Sequence, residues 1–140
     1  MAANTSPIFP LTPHIEWGAT ALATANTAKD GTGIVMTVFT GQANGGRVDF
    51  LKVRSIGTNG ATVLRIFINN GLTNATPANN VLWHETTIPA TTLSEVAQLA
   101  DTLIPLGIDG LSIPNGYKIN LTIGTTIAAG LMCSGVGGDY

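Results

Sequence analysis

The chain has 140 residues and a formal net charge of −2; 44% of its residues are hydrophobic and only 10% are charged, against about 25% in typical soluble domains. Its six basic residues form no stripe and its apolar runs fall short of the roughly 20 residues of a membrane span, which argues against direct nucleic-acid binding and against membrane insertion. A single domain without an intramolecular disulfide is expected, since Cys133 is the only cysteine.

The scarcity of charge has a consequence for the surface. A surface rich in Thr, Ser, Asn and Gly is polar enough for water, yet it can be covered without stripping ions of their hydration. Protein interfaces are likewise poor in charge at their centres. We interpret the composition as that of a surface covered in an assembly; the alternative is that neutral, Thr-rich β domains simply have this composition.

Residues 1–16 are predicted to form an extended N-terminal arm. Proline recurs at every third position in this segment, at Pro7, Pro10 and Pro13. Because proline lacks a backbone donor and fixes φ near −65°, the segment cannot enter the middle of a sheet. It also displays apolar side chains that a solvated tail would not carry, namely Ile8, Phe9 and Leu11. The arm is therefore predicted to lie in a groove, either on its own domain or on a neighbour.

From residue 17 onward the pattern is one of strands separated by turns. Runs rich in β-branched and aromatic residues predict strands over residues 17–23, 34–40, 48–56, 61–69, 81–88, 117–123 and 126–136. The adjacent apolar residues Phe50 and Leu51 break strict alternation, which indicates a bulge or a strand buried on both faces. Gly130 and Gly135 indicate places where another backbone approaches closely.

Residues 90–106 are compatible with two structures. Leucine and valine recur there at helical spacing, and Thr92 with Glu95 could form a capping box. The same residues could form an irregular strand, which the surrounding β pattern favours. With that strand the count reaches about eight, so residues 17–140 are predicted to form one all-β antiparallel sandwich or jelly roll.

No pattern of catalytic or metal-binding residues stands out. His14 and His84 lie in no recognisable nucleophile motif, and Cys133 in a run of small and apolar residues is interpreted as a buried, inert thiol. Metal-ligand spacings such as Cys-x-x-Cys are missing from the sequence. The acidic residues that could pair for glycoside hydrolysis are Glu85, Glu95 and Asp101, and those that could hold calcium from a turn are Asp30 and Asp109. We predict no enzyme activity, no metal and no cofactor.

Aromatic residues offer one further possibility. A sugar-binding platform could be built from Trp17, Trp83, Tyr117 and Tyr140. Aromatic side chains in the core of a sandwich are the commoner explanation.

Three blocks of the sequence resemble small structural proteins from tailed-phage and prophage gene clusters. These blocks are residues 3–9 (ANTSPIF), 61–71 (ATVLRIFINNG) and 113–118 (IPNGYK), the last running on to 137–140 (GGDY). The resemblance spans most of the chain and involves structural blocks without a catalytic motif. It implies a virion protein that is made in the host cytoplasm.

Within that setting the chain resembles head decoration (cement) proteins in size, neutrality and N-terminal arm. The resemblance implies a homotrimer on the capsid surface that binds the major capsid protein and stabilises the shell. The predicted contact residues are Ile8, Phe9, Leu11, Ile15 and Trp17. The alternatives are a tail or fibre component that touches host carbohydrate, and a small hydrolase of cell-wall material.

Overall fold

The computed structural model describes residues 9–140, which form two antiparallel β-sheets packed as a sandwich. The strands are β1 (Thr12–Trp17), β2 (Met36–Thr40), β3 (Gly46–Ser55), β4 (Thr62–Asn69), β5 (Asn80–Ile88), β6 (Asp101–Pro105), β7 (Leu111–Ile113), β8 (Lys118–Ile123) and β9 (Leu131–Asp139). Within residues 9–140 the helical content is one 3-10 turn at Pro77–Asn79, and no helix there is long and apolar enough to cross a membrane. The predicted all-β sandwich is confirmed.

The strand pairing is nested. β1 pairs with β9, β2 with β8, β3 with β6 and β7, and β4 with β5. The chain thus resembles one long hairpin wrapped into two sheets. The first sheet has the order β1-β9-β3-β6, with β7 also paired to β3, and the second has the order β2-β8-β4-β5. This wrapping produces a jelly roll, in which two Greek keys form a double sheet.

The core lies between the two sheets and is apolar. Its largest fully buried side chains are Phe39, Leu51, Leu64, Ile66, Ile119, Leu121, Ile123 and Leu131. The bulge predicted near Phe50 is confirmed, because the pairing of β3 with β9 shifts register between Val48 and Phe50. The extra residue allows Val48 and Leu51 both to face the core although they are three positions apart.

Two glycines near the end of the chain mark close approaches, Gly130 just before β9 and Gly135 within it, and the predicted approach of another backbone is confirmed at Gly135. A Cβ on Gly135 would lie 2.5 Å from the carbonyl oxygen of Val38 in the opposite sheet, and a Cβ on Gly130 would lie 2.8 Å from the side-chain Cβ of Ala21. Gly130 also has a φ of +92°, which ends the preceding turn and delays the last strand. β9 therefore spans Leu131–Asp139 rather than the predicted 126–136.

The connection from β1 to β2 covers the outer side of the second sheet. The Arg65 guanidinium donates from Nη1 to the backbone carbonyl oxygen of Asn26 (3.4 Å). The backbone N–H of Asn26 donates to the backbone carbonyl oxygen of Ile123 (2.8 Å). Three side chains on this outer side are buried although they alternate with core residues: Phe67, Asn120 and Thr122. The second sheet is therefore covered on both sides, whereas the first is covered on one.

The first strand begins and ends earlier than predicted. The pattern predicted residues 17–23, but β1 is Thr12–Trp17. It is an edge strand paired only with β9, so the missing N–H of Pro13 costs no hydrogen bond within the sheet. Residues 12–16 of the predicted arm thus belong to the sheet, and the described part of the arm before it is residues 9–11.

Residues 90–106 contain no helix. Only their end forms a strand, β6, and the stretch before it is irregular. Leu93 and Val96 of the candidate helical stripe are 53% and 97% exposed, and the Ser94 hydroxyl accepts a local hydrogen bond from the Val96 amide (3.2 Å). A short helix is stable in a protein mainly through burial of its apolar stripe, and this stripe has no surface to pack against.

Candidate docking surface

The outward side of the first sheet exposes a continuous apolar surface, which we call the outer face. It is formed by Ile15 and Trp17 of β1, Met132, Ser134 and Val136 of β9, Phe50, Lys52 and Arg54 of β3, and Leu103 and Pro105 of β6. All of these side chains are exposed or half-buried. Alternation along the strands produces the face, because the intervening residues Leu51, Val53 and Cys133 point into the core.

The pairing register aligns these side chains in rows across the sheet. One row is Ile15, Val136, Phe50 and Pro105, and the next is Trp17, Ser134, Lys52 and Leu103. Since neighbouring strands lie about 4.8 Å apart, the first row is an uncharged apolar strip spanning roughly 15 Å. Lys52 and Arg54 lie on one side of that strip, and the ion pair of Arg47 with Asp49 flanks its other side.

A depression of about 350 Å³ lies in the outer face. It is lined by Trp17 and Met132 on one side and by Lys52 and Arg54 on the other. Ser134 occupies the middle of the row between Trp17 and Lys52, and its small side chain leaves the space unfilled. An apolar side chain of a partner would find both a cavity and apolar walls here.

The charged groups of the outer face partly neutralise one another. Asp101 lies 3.4 Å from Lys52 Nζ and 3.3 Å from Arg54 Nη1, through different carboxylate oxygens. All three side chains are more than a third exposed, and such surface pairs contribute only about 0–1 kcal/mol to stability. The face thus carries one net positive charge, which a partner could cover or pair at little cost.

Four of the five predicted contact residues lie in the described part of the chain. Phe9, Leu11, Ile15 and Trp17 are 66%, 71%, 59% and 63% exposed, and Ile8 lies outside the described residues. Ile15 and Trp17 project from the outer face itself. Phe9 and Leu11 line a second depression, of about 310 Å³, at the end of β9. The surface is therefore extended by the residues that precede β1.

Sequence reasoning missed the contributions of the other strands to this surface. Phe50, Leu103, Met132 and Val136 complete the face, but the sequence assigned the first, third and fourth only to strands and left Leu103 in the segment 90–106, between helix and strand. The sequence does show that Phe50 and Leu51 are neighbours, as are Met132 and Cys133, so the two members of each pair point to opposite sides of their strand. Alternation separates two sides of a strand without indicating which side another layer covers.

The side chain of His14 stabilises the pairing of β1 with β9. Its Nδ1 lies 2.9 Å from Asp139 Oδ1, its Nε2 lies 3.5 Å from Glu16 Oε2, and its ring centroid is 4.3 Å from that of Phe39. The hydroxyl of Thr40 donates to Glu16 (3.3 Å) rather than to the imidazole. These contacts hold Ile15 and Trp17 in place and build no nucleophile–base pair.

Two further candidate groups, the Cys133 thiol and the Glu85 carboxylate, are engaged in the fold. Cys133 is buried, which confirms the predicted burial, and this burial raises the pKa of the thiol to about 12. Glu85 accepts a hydrogen bond from Arg65 Nε at 2.7 Å. Within residues 9–140, no three His, Cys, Asp or Glu side chains are placed to hold a metal ion.

The aromatic residues do not share one platform. Trp17 is on β1 at an edge of the first sheet, whereas Trp83 is on β5 at the far edge of the second. Tyr117 packs against the core, and the Tyr140 hydroxyl lies 2.7 Å from that of Ser112. A sugar site containing both tryptophans is not formed.

Comparison with known proteins adds no assignment. No protein-family model matches the chain, and no curated protein matches it. The physical character of the outer face therefore carries the functional argument: apolar rows, an open depression and few ions suit contact with another protein.

Proposed function

We propose that the chain is a virion structural protein, a capsid decoration (cement) protein that binds the major capsid protein through the outer face and stabilises the shell. The observation that carries the proposal is an exposed apolar face four strands wide on a chain with only 10% charged residues. The resemblance of three sequence blocks to structural proteins of tailed phages and prophages supports this setting.

The outer face can supply useful but limited binding energy. Ile15, Trp17 and Leu103 are each about three-fifths exposed. Complete burial of such a side chain is worth about 1.5–3 kcal/mol, so covering the three exposed fractions contributes roughly 3–5 kcal/mol. Association itself costs an estimated 4–15 kcal/mol or more. One copy would thus bind weakly through these residues alone.

Several copies of the chain that are linked to one another would bind more tightly than a single copy. If several chains associate before or during attachment, each later contact forms at high effective concentration, and the total affinity exceeds that of one copy by orders of magnitude. This is the physical reason to propose a homo-oligomer, with the trimer implied by the resemblance as the specific form. The arm residues Phe9 and Leu11 add a further contact beside the face.

The test is attachment to heads assembled without the chain. Wild-type protein, a deletion of residues 2–11 and Trp17→Lys are mixed with such heads, and bound protein is quantified after sedimentation. The deletion stops before Thr12, so β1 and its pairing with β9 are retained. Val96→Lys is the control, because Val96 is 97% exposed in the loop before β6.

We expect wild type and the control to sediment with heads and the other two variants to remain in the supernatant. Retained binding by both the deletion and Trp17→Lys would overturn the assignment of this surface. Failure of the wild type to bind heads at all would overturn the decoration function.

A further inference from the structure

The turn between β6 and β7 carries two exposed side chains of different character. Ile108 is 102% exposed, and the neighbouring Asp109 is exposed and forms no ion pair within residues 9–140. The turn is fixed against β3, because Gly110 has a φ of +84° and a Cβ on it would lie 2.8 Å from the carbonyl oxygen of Val48. We call Ile108 and Asp109 the knob; since its backbone is already ordered, binding costs little conformational entropy.

The knob is too far from the 350 Å³ depression of its own outer face to fill it. The turn that carries it lies beside Val48, whereas the depression begins at Lys52 of the same strand, roughly 13 Å farther along. Only five residues, 106–110, connect β6 to β7, and Leu106 among them is buried. Such a short, anchored turn has no slack to cross that distance, so any knob in this depression belongs to another molecule.

The depression has two walls of different chemistry. Trp17 and Met132 form an apolar wall, and Lys52 and Arg54 form a cationic wall. The two cations share one carboxylate, that of Asp101, which lies on β6, on the side of β3 away from the depression. Among the described residues, one positive charge beside the cavity therefore has no counter-ion. An occupant with one apolar side chain and one carboxylate matches both walls.

We propose that the knob of one copy inserts into the 350 Å³ depression of a second copy of this chain. Ile108 packs against the apolar wall, and the carboxylate of Asp109 pairs with the cationic wall. The charges balance one for one, so no unpaired ion is buried in the contact. The volume is sufficient, because the two side chains have four non-hydrogen atoms each, which need about 240 Å³ at the roughly 30 Å³ share of one water molecule.

The contact joins two different surfaces and is therefore head-to-tail. Repetition of such a contact produces a closed ring when the rotation permits, and each copy then uses its knob once and its depression once. This inference deepens the self-association in the proposed function. It assigns the depression to a second copy and leaves the apolar strip that begins at Ile15 to the capsid protein. Because it is tested without capsids, the two proposals can fail separately.

The first test is the mass of the purified full chain by sedimentation equilibrium, at about 50 µM to 1 mM because a small contact associates weakly. We expect wild type to exceed the 14.4 kDa monomer by a whole-number factor. Ile108→Lys removes the knob, and Ser134→Glu fills the depression beside Lys52 with a carboxylate; each should return the mass to that of the monomer. Val96→Lys, at an exposed position outside both surfaces, should leave the oligomer intact. Circular dichroism verifies that each variant is folded.

The second test exchanges the charges of the proposed ion pair. Lys52→Asp and Asp109→Lys each place like charges together and should weaken self-association at least about tenfold, whereas a chain with both substitutions should recover most of the wild-type affinity. Lys29→Asp is the control and should change nothing, since Lys29 is exposed in the connection from β1 to β2. A monomeric wild type, even one that binds heads, would overturn the proposal. Oligomers that persist in Ile108→Lys or Ser134→Glu, or no recovery in the doubly substituted chain, would also overturn it.

Discussion

Replacement of Asn59 by alanine should weaken the sandwich measurably. Asn59 is 5% exposed in the turn between β3 and β4. Its Oδ1 accepts hydrogen bonds from the amides of Ala129 (2.7 Å) and Gly130 (3.0 Å), and its Nδ2 donates to the Gly130 carbonyl oxygen (2.9 Å). The side chain therefore ties this turn to the turn that begins β9.

The magnitude follows from the groups left without partners. The Gly130 carbonyl keeps the Ile56 amide as a donor (3.3 Å), but the buried Gly130 amide loses its acceptor. A buried polar group without a partner costs about 1–3 kcal/mol, and the half-buried Ala129 amide adds a smaller penalty. We expect Asn59→Ala to lower the free energy of unfolding by about 2–3 kcal/mol, and the melting temperature by roughly 6–10 °C at this chain length.

The measurement is urea unfolding followed by circular dichroism. Gln42→Ala is the matched control, because it also removes an amide that donates to a backbone carbonyl (Thr40, 3.1 Å) but at an exposed site; it should change stability by less than about 0.5 kcal/mol. Equal effects of the two substitutions would refute the reasoning.

Three further predictions concern other parts of the molecule. Gly135→Ala should destabilise the fold by about 1–3 kcal/mol in thermal unfolding, since the new Cβ meets the opposite sheet. The control is Gly60→Ala, which should be neutral or slightly stabilising because there is open space around Gly60. Equal effects of the two substitutions would contradict the packing argument. Because burial raises the pKa of the Cys133 thiol from 9.0 to about 12, the folded protein should hold roughly a thousandfold less thiolate than the unfolded chain at pH 8. Maleimide labelling of Cys133 should accordingly be slow until denaturant is added, and rapid labelling of the folded protein would refute this prediction. The contribution of the thiol to the free energy of unfolding should be lost as pH rises from about 9 to 12. Trp17→Ala should weaken binding to heads about tenfold with little change in melting temperature, and unchanged affinity in the binding assay would exclude Trp17 as a contact.

Local chemistry made much of the fold predictable. β-branched runs located β3, β4, β5 and β8 to within a few residues, and the Phe50–Leu51 step located the bulge because two core residues at odd spacing require an inserted residue. β1 was misplaced because residues 1–16 were all assigned to an extended arm that cannot enter the middle of a sheet, although an edge strand tolerates a proline such as Pro13. The nested pairing depends on contacts between distant residues, which short-range patterns do not encode.

The candidate surface was only partly predictable for a related reason. Ile15 and Trp17 were identified because they accompany the proline-rich arm. Their neighbours on the outer face come from strands more than 30 residues away in sequence, and only the register aligns them. The loop that covers Phe67 on the second sheet could equally have covered the first, so which sheet stays open requires the three-dimensional structure.

The number of copies of this chain per virion, measured by quantitative mass spectrometry of purified particles against the major capsid protein, tests the decoration function most directly. A chain whose open sheet covers seams of the shell should be present in hundreds of copies. A dozen copies or fewer would contradict this account and assign the chain to the tail, and none would remove it from the virion altogether.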